Sequence, residues 1–204
     1  MAKKPPLDPP LDQIREDARK CQDCPLWANA TQTVFGAGDP HARVMLVGEQ
    51  PGDEEDKKGL PFVGPAGRLL NRALEAAGVD REQLYVTNAV KHFKWQLRGK
   101  RRLHKTPAQR EVDACHQWLE REIATVKPHV IVALGSTAAK AVIGKDFKVS
   151  IERGKFVESP LAPHVFATLH PSALLRVQED AEREAAFKAF VKDLSLIKKA
   201  LQRP

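Results

Sequence analysis

The basic run at residues 98–105 contains one histidine, His104, and five of its eight side chains carry a permanent positive charge. Such cations suit the phosphates on either side of a target nucleotide. They also disfavour a further positive charge on the imidazole, so we expect a neutral, nucleophilic His104. A carboxylate such as Glu49 could orient the ring. By spacing alone, however, His104 could also be one more DNA contact. The cations predicted to contact DNA are Lys100, Arg101, Arg102 and Lys105.

Three cysteines form a second pattern: a Cys21-x-x-Cys24 pair and a distant Cys115. An odd count in a chain expected to be cytosolic argues against a disulfide framework. Structural zinc and cluster sites usually need four ligands. His92 follows a predicted strand, whereas His116 would diverge from Cys115 by about 100° on a helix. We therefore predict a site for zinc or an iron–sulfur cluster, with three unrelated thiols as the alternative. Its ligands would be Cys21, Cys24, His92 and Cys115.

Polar side chains follow several predicted strands. Glu49 and Gln50 come after one buried strand, Asn88 ends another, and His170 ends a later one. The carboxylates near Glu49 would repel a bare phosphate but could stabilise a developing cation or orient a histidine. They could also form an ordinary acidic surface turn. Asn88 could read a base edge or cap the structure. Phe62, in a loop, could stack on a ligand or pack in the core.

The elements that must position these residues alternate along the chain. Apolar runs of strand length occur at residues 44–47, 84–90, 130–134, 155–158 and 165–169. Helices are predicted from about residues 11, 65, 107 and 136, and a last one spans 187–201. Residues 27–42 and the acidic stretch 49–56 are expected to be loops, as is the basic run. This order predicts a three-layer α/β/α sandwich around a mostly parallel central sheet. Ligands bind such sheets at the carboxyl ends of the strands.

Length and charge narrow the class of protein. The 204 residues suit one domain, predicted at 11–204 after a flexible proline-rich tail at 1–10. A net charge of +7 favours a polyanionic partner, nucleic acid rather than a membrane. No apolar run approaches the roughly 20 residues that span a bilayer, and the first residues lack the apolar core of a signal peptide. We therefore expect a cytoplasmic protein.

Four motifs occupy residues 48–56, 61–70, 86–92 and 170–172. Together they resemble the uracil-DNA glycosylase superfamily. The set is more closely similar to its UdgX branch, a relative of the iron–sulfur family 4 enzymes. The stretch 100–104 resembles the diagnostic insertion of that branch, with Leu103 where isoleucine is usual. The resemblance covers residues 15–200.

The resemblance implies roles in binding and catalysis. Phe62 would stack on the flipped uracil, Asn88 would read its edge, and His170 would contact a uracil carbonyl. Gln50 would join them in the uracil pocket. Glu49 would assist His104. The implied catalytic set is His104, Glu49, Gln50, Asp56 and His170, and Ser172 would join the basic run in binding DNA.

The resemblance also bears on the cysteines and on activity. Cys21, Cys24 and Cys115 match cluster ligands, and His92 stands where family 4 has a further cysteine. A 4Fe–4S cluster is therefore expected, with zinc as the alternative. UdgX-type proteins excise uracil and become covalently bound to the new abasic site through the loop histidine. We expect this chain to act as a monomer on single-stranded uracil-DNA, and also on duplexes. The alternatives are a turnover family 4-type enzyme that releases free abasic DNA and a non-catalytic DNA-binding protein.

Overall fold

A six-stranded sheet crosses the centre of the computed structural model, which describes residues 9–202. Its order is β1-β3-β2-β6-β8-β7, and the four inner strands are parallel to one another. The two edge strands are short and antiparallel to their neighbours: β1 pairs with β3, and β7 pairs with β8. The remaining two strands, β4 and β5, form a separate hairpin. The strands are β1 (Ala37–Gly38), β2 (Val44–Gly48), β3 (Leu84–Asn88), β4 (Trp95–Arg98), β5 (Arg101–His104), β6 (Val130–Leu134), β7 (Phe156–Val157) and β8 (His164–Thr168).

Helices cover both faces of this sheet. Leu11 of the first helix and Leu119 of the fourth pack on one face. Leu70, Phe190 and Ile197 pack on the other. The helices are α1 (Pro9–Arg19), α2 (Asp53–Lys58), α3 (Pro65–Ala76), α4 (Gln109–Val126), α5 (Ser136–Val142), α6 (Val149–Glu152), α7 (Pro171–Leu174), α8 (Asp180–Leu194) and α9 (Leu196–Leu201). Across residues 9–202, none of them has the length and apolar character needed to cross a membrane.

The predicted mostly parallel α/β sheet is confirmed. Each inner strand was recognisable because a strand buried on both faces is continuously apolar rather than alternating. Every residue of β2, β3 and β6 is buried. The carboxyl ends of these parallel strands meet at one edge of the sheet. Residues that follow β2, β3, β6 and β8 therefore lie together there.

Four local predictions were wrong. The basic run is not a loop but the greater part of the β4–β5 hairpin, in which Arg98 pairs with Arg101. Gly99 has φ of 61° at the first central position of the two-residue turn, where glycine is favoured. The acidic stretch 49–56 ends in the first turn of α2, where its carboxylates stabilise the helix N-terminus. The coil at 27–42 contains β1, and the last helix is divided in two at Ser195.

The chain termini bear on one further prediction. The first helix begins at Pro9, slightly earlier than predicted. Most of the predicted tail at residues 1–10 lies outside the described residues. The division into a tail and one domain at 11–204 stays a prediction.

Candidate active site

Two cavities open side by side at the carboxyl edge of the sheet. One, of about 500 Å³, is lined in part by Phe62 and Asn88, and we call it the Phe62 cavity. The other, of about 380 Å³, is lined in part by Glu49 and Thr137, and we call it the Glu49 cavity. The two cavities share one wall, so a side chain on that wall can contact a ligand in either cavity. The shared residues are Gln50, His104, His170, Ser172 and Arg176.

Phe62 adopts a left-handed backbone conformation, with φ of 54°. Such a conformation costs a non-glycine residue on the order of 1–3 kcal/mol and often marks a functional site. Glycines make the arrangement possible: a Cβ at Gly67 would collide with the Phe62 carbonyl, and one at Gly48 would lie 2.6 Å from Phe62 Cζ. The side chain is mostly buried rather than exposed, yet it lines the cavity. Its ring lies 6.2 Å from that of His170.

Asn88 is fixed from below by a buried ion pair. The Nζ of Lys91 donates to the backbone carbonyl of Asn88 at 2.7 Å and to the Thr87 hydroxyl at 2.7 Å. It also pairs with the Glu122 carboxylate, which is fully buried. Asn88 itself is buried and lines the Phe62 cavity. The end of β3 is therefore held rigidly where a planar ligand would meet the amide.

His170 follows β8 and is held in one tautomer. Its Nδ1 accepts the Ser172 backbone N–H at 3.1 Å, and the Ser172 hydroxyl lies 2.8 Å from the same atom. In the neutral ring the proton is therefore on Nε2. Burial lowers the pKa of His170 to about 4, and His104 and Arg176 act in the same direction. His170 is thus a neutral donor at physiological pH. Ser172, predicted to bind DNA, orients this histidine and also lines both cavities.

His104 ends β5, and Gln50 determines which nitrogen of its ring carries the proton. The Gln50 Oε1 accepts the Lys94 backbone N–H at 2.9 Å, which sets the direction of the amide. Its Nε2 donates to the Lys105 carbonyl at 2.9 Å and lies 2.8 Å from His104 Nε2. The lone pair of His104 Nε2 therefore faces a donor, and the neutral ring carries its proton on Nδ1.

The charge on His104 is controlled by its surroundings. Burial lowers the pKa of His104, the Glu49 carboxylate opposes this shift, and Arg176 adds to it. The predicted neutral state agrees with this direction, although burial is the leading cause and the cation involved is Arg176 rather than the basic run. About half of the side chain stays exposed. A neutral, accessible imidazole at a cavity wall is a competent nucleophile.

Glu49 lies between His104 and the first turn of α5. Its Oε1 lies 3.3 Å from His104 Nε2, and its Oε2 accepts from the Thr137 hydroxyl at 2.5 Å. Thr137 and Arg176 were missed by the sequence reasoning. The signal for Thr137 was its place just after a buried strand that neighbours β2, which brings both strand ends to the same edge.

Arg102, which was predicted to contact DNA, is held by two carboxylates of α2. Its Nε donates to Asp53 Oδ1 at 2.6 Å and its Nη1 to Asp56 Oδ2 at 2.7 Å. The guanidinium also lies over the rings of Phe93 and Trp95, at 5.4 and 5.3 Å. Arg102 thereby ties the hairpin that carries His104 to α2.

Asp56, which was predicted to belong to the catalytic set, is one of these two carboxylates. It is fully buried, accepts the Thr31 backbone N–H at 2.9 Å, and lines neither cavity among the described residues. It supports the site through Arg102 rather than facing a ligand. The side chains of Lys100, Arg101 and Lys105 are exposed and accessible to a partner.

We expect Arg102→Gln to lower the free energy of unfolding by about 3 kcal/mol, because it leaves the buried Asp56 carboxylate without its cation. Arg101→Gln, the neighbouring exposed arginine, should change it by less than about 0.5 kcal/mol. Urea titrations of both variants measure the difference. Equal midpoints for the two would show that Arg102 does not brace the hairpin.

The predicted metal ligands lie in one region of the fold. Cys21 and Cys24 pack against the hydrophobic cluster that contains Cys115. The Cys115 sulfur accepts the Lys91 backbone N–H at 3.2 Å. The adjacent residue, His92, is buried, and its Nε2 lies 2.9 Å from the Thr33 hydroxyl.

These four residues suit a metal by type rather than by their present spacing. Within residues 9–202, no group of three or more His, Cys, Asp and Glu side chains is arranged to hold a metal ion. Burial raises the pKa of Cys115 to about 12, so a thiolate there would need a cation beside it. Burial lowers the pKa of His92, which favours the neutral, ligating imidazole. Three thiols and a neutral imidazole form a donor set that zinc or an iron–sulfur cluster accepts.

Comparisons with known proteins connect this arrangement to a family. A family model described as the uracil DNA glycosylase superfamily matches residues 35–195. The chain is 38% identical over 190 residues to a type-4 uracil-DNA glycosylase of Thermotoga maritima, covering 93% of this chain and 95% of that protein. It is 35% identical over 193 residues to a type-4 uracil-DNA glycosylase of Pyrobaculum aerophilum, covering 91% and 92%. A type-5 uracil-DNA glycosylase of the same organism is 28% identical over 183 residues, covering 81% and 77%.

Proposed function

This chain belongs to the uracil-DNA glycosylase superfamily, and we propose that it excises uracil from DNA and then becomes covalently bound to the abasic site through His104. The observation that carries the covalent step is the placement of His104 Nε2. This atom lies on the wall shared by the two cavities, 2.8 Å from the Gln50 amide nitrogen and 3.3 Å from Glu49 Oε1. We propose that this lone pair leaves the Gln50 amide and attacks C1′ of the bound nucleotide.

The Phe62 cavity suits a flipped base. Its volume of about 500 Å³ leaves room for a pyrimidine and part of its sugar. We propose that the Phe62 ring stacks on uracil and that the Asn88 amide pairs with its edge. Flipping costs a few kcal/mol and costs least in single strands, so single-stranded uracil-DNA is the favoured substrate.

Excision breaks the bond between C1′ and N1 of uracil, and its electron pair leaves with the base. The base becomes an anion, and the Nε2–H of His170 donates to its carbonyl oxygen as charge develops there. The sugar becomes an oxocarbenium ion. The Glu49 carboxylate, beside the shared wall, stabilises that cation electrostatically.

The His104 Nε2 lone pair then forms a bond to C1′. Because Nδ1 keeps its proton, the alkylated ring is an imidazolium, which pairs with Glu49 until Nδ1 loses its proton to solvent. Water competes for the same carbon, but a tethered nucleophile can have an effective molarity of about 10⁵ M or more. The product is a protein–DNA adduct, so each molecule acts once.

The turnover alternative also has support. The relatives compared above are named type-4 and type-5 uracil-DNA glycosylases. Glu49 Oε1 faces the cleft and could direct a water molecule to C1′ while His104 only binds. Under this alternative the product is free abasic DNA and one molecule acts many times.

We propose that the exposed cations Lys100, Arg101 and Lys105 contact the DNA backbone and that the protein acts as a monomer. We also propose that Cys21, Cys24, His92 and Cys115 hold a 4Fe–4S cluster. The resemblance to the iron–sulfur family 4 enzymes and the donor set support the cluster. Its task would be to fasten the N-terminal segment to α4 and to the end of β3.

If the cluster is present, the purified protein should absorb broadly in the blue and contain about four iron atoms and four sulfides per chain. His92→Ala should reduce both, because it removes one ligand. His116→Ala, at a half-buried position of α4, should leave them unchanged. A colourless wild-type protein that contains zinc would show that the site is not an iron–sulfur site.

Uracil release tests the excision step itself. The protein is incubated with a single-stranded oligonucleotide that contains one deoxyuridine, and the released base is quantified by chromatography. We expect one uracil per protein molecule at most, and none from the matching thymidine oligonucleotide. Absence of released uracil would leave only DNA binding.

A further inference from the structure

We propose that Thr137 is a positioning residue that holds the Glu49 carboxylate against His104, an inference that rests on the proposed function. The Thr137 hydroxyl donates to Glu49 Oε2 at 2.5 Å. The other carboxylate oxygen, Oε1, lies 3.3 Å from His104 Nε2. Thr137 thus fixes one oxygen and leaves the second one directed at the nucleophile.

The position of Thr137 is fixed by the fold. It lies in the first turn of α5, directly after β6, and β6 pairs with the strand that ends before Glu49. The turn into α5 requires Gly135, which has φ of 86°. A Cβ at Gly135 would lie 2.8 Å from the His170 Cβ. The helix start is therefore packed tightly against the residue proposed to receive the leaving base.

The side chain of Glu49 needs such a restraint, whereas its backbone is already held. Its carbonyl accepts the Val90 N–H at 3.0 Å, which holds the main chain. The side chain, however, has three rotatable bonds and lies at the edge of an open cavity. A charge-assisted hydrogen bond to one oxygen selects a single orientation before substrate arrives. Preorganised charge of this kind stabilises a developing cation without reorganisation at the moment of reaction.

Threonine suits this task for two reasons. Its branched Cβ restricts χ1, so the hydroxyl is held in few orientations. In addition, a hydroxyl in the first helical turn has no preceding turn of its own helix whose carbonyl it could hydrogen-bond, so it is available to Glu49. Valine at 137 would keep the shape and remove the donor, whereas serine would keep the donor.

The test compares single-turnover rates of uracil release and of adduct formation. Thr137→Val should slow both by roughly tenfold to hundredfold, the range expected for losing a hydrogen bond to a charged group. Thr137→Ser should lie within about threefold of wild type. Thr125→Val, which removes a hydroxyl bonded to the Arg121 carbonyl within α4, is the matched control and should not change the rates. The dissociation constant for a non-cleavable uracil-DNA analogue should be the same for all.

A double-mutant cycle separates positioning from general loosening. In a Glu49→Ala background, Thr137→Val should have no further effect, because the group through which it acts is absent. Thr137→Ala replaces the valine variant if that one does not fold. Wild-type rates in the donor-free variant, or an equal slowing in the Glu49→Ala background, would overturn the inference while excision stands. If wild-type protein releases no uracil, the proposed function fails first and this inference fails with it.

Discussion

His104→Ser will lose the covalent protein–DNA product by at least about 10³-fold, because serine offers neither the lone pair nor the reach of the imidazole. Uracil release should continue within about tenfold of the wild-type rate, since Glu49 and His170 are still in place. Water then takes C1′, and the product becomes free abasic DNA. A denaturing gel run with labelled single-stranded uracil-DNA measures the change directly.

The matched control for this variant is His116→Ser, at a half-buried histidine on α4 whose Nε2 lies 3.3 Å from Glu120 Oε1. It should form the adduct at the wild-type rate. Persistence of the band in His104→Ser would mean that another residue is the nucleophile. Loss of both the band and uracil release would mean that His104 is needed for excision itself, which is not the role proposed above.

His170→Ala should slow uracil release by about 10²–10³-fold, the usual effect of removing one donor to a developing oxyanion. Adduct formation should slow equally, because it follows excision. His170→Gln, which keeps an N–H donor, should recover part of the rate. His116→Ala is again the control. A rate within twofold of wild type in His170→Ala would remove His170 from the stabilisation of the leaving base.

The low pKa of His170 sets the pH dependence expected for this step. Burial lowers that pKa to about 4, so the ring is a neutral donor at every pH above this value. His170 should therefore cause no change in uracil release between about pH 5.5 and 9. The folded protein also resists protonation of this ring between its ordinary pKa near 6.5 and about 4, so stability should fall as pH falls through that window.

The sheet could be read from sequence because its inner strands are buried on both faces. Runs such as 44–47 and 130–134 are continuously apolar, and only a few folds present such runs between helices. The same logic brought Glu49, Asn88 and His170 to one edge. The hairpin was missed because its strands are only four residues long, lie at the surface and are rich in charge. The alternation in β4, with Trp95 and Leu97 apolar, is too short to predict a strand by itself.

The partners of the site residues could not be read in this way. Arg102 resembles its basic neighbours in sequence, and only the folded chain shows that Asp53 and Asp56 neutralise it. The sequence gives no sign of how the Gln50 amide is oriented. Its direction is set by the backbone of Lys94 and Lys105, which flank the hairpin. A contact between Thr137 and Glu49 can be inferred only when β6 and β2 are known to be neighbours. Long-range contacts of this kind leave no local pattern.

The most direct test of the covalent account is to find the atom to which the DNA is joined. Wild-type protein is reacted with single-stranded uracil-DNA, digested with nuclease and protease, and analysed by fragmentation mass spectrometry. We predict a deoxyribose phosphate remnant on the peptide that contains His104, on the imidazole ring. A remnant on any other residue, or free abasic DNA with unmodified protein, would contradict the account.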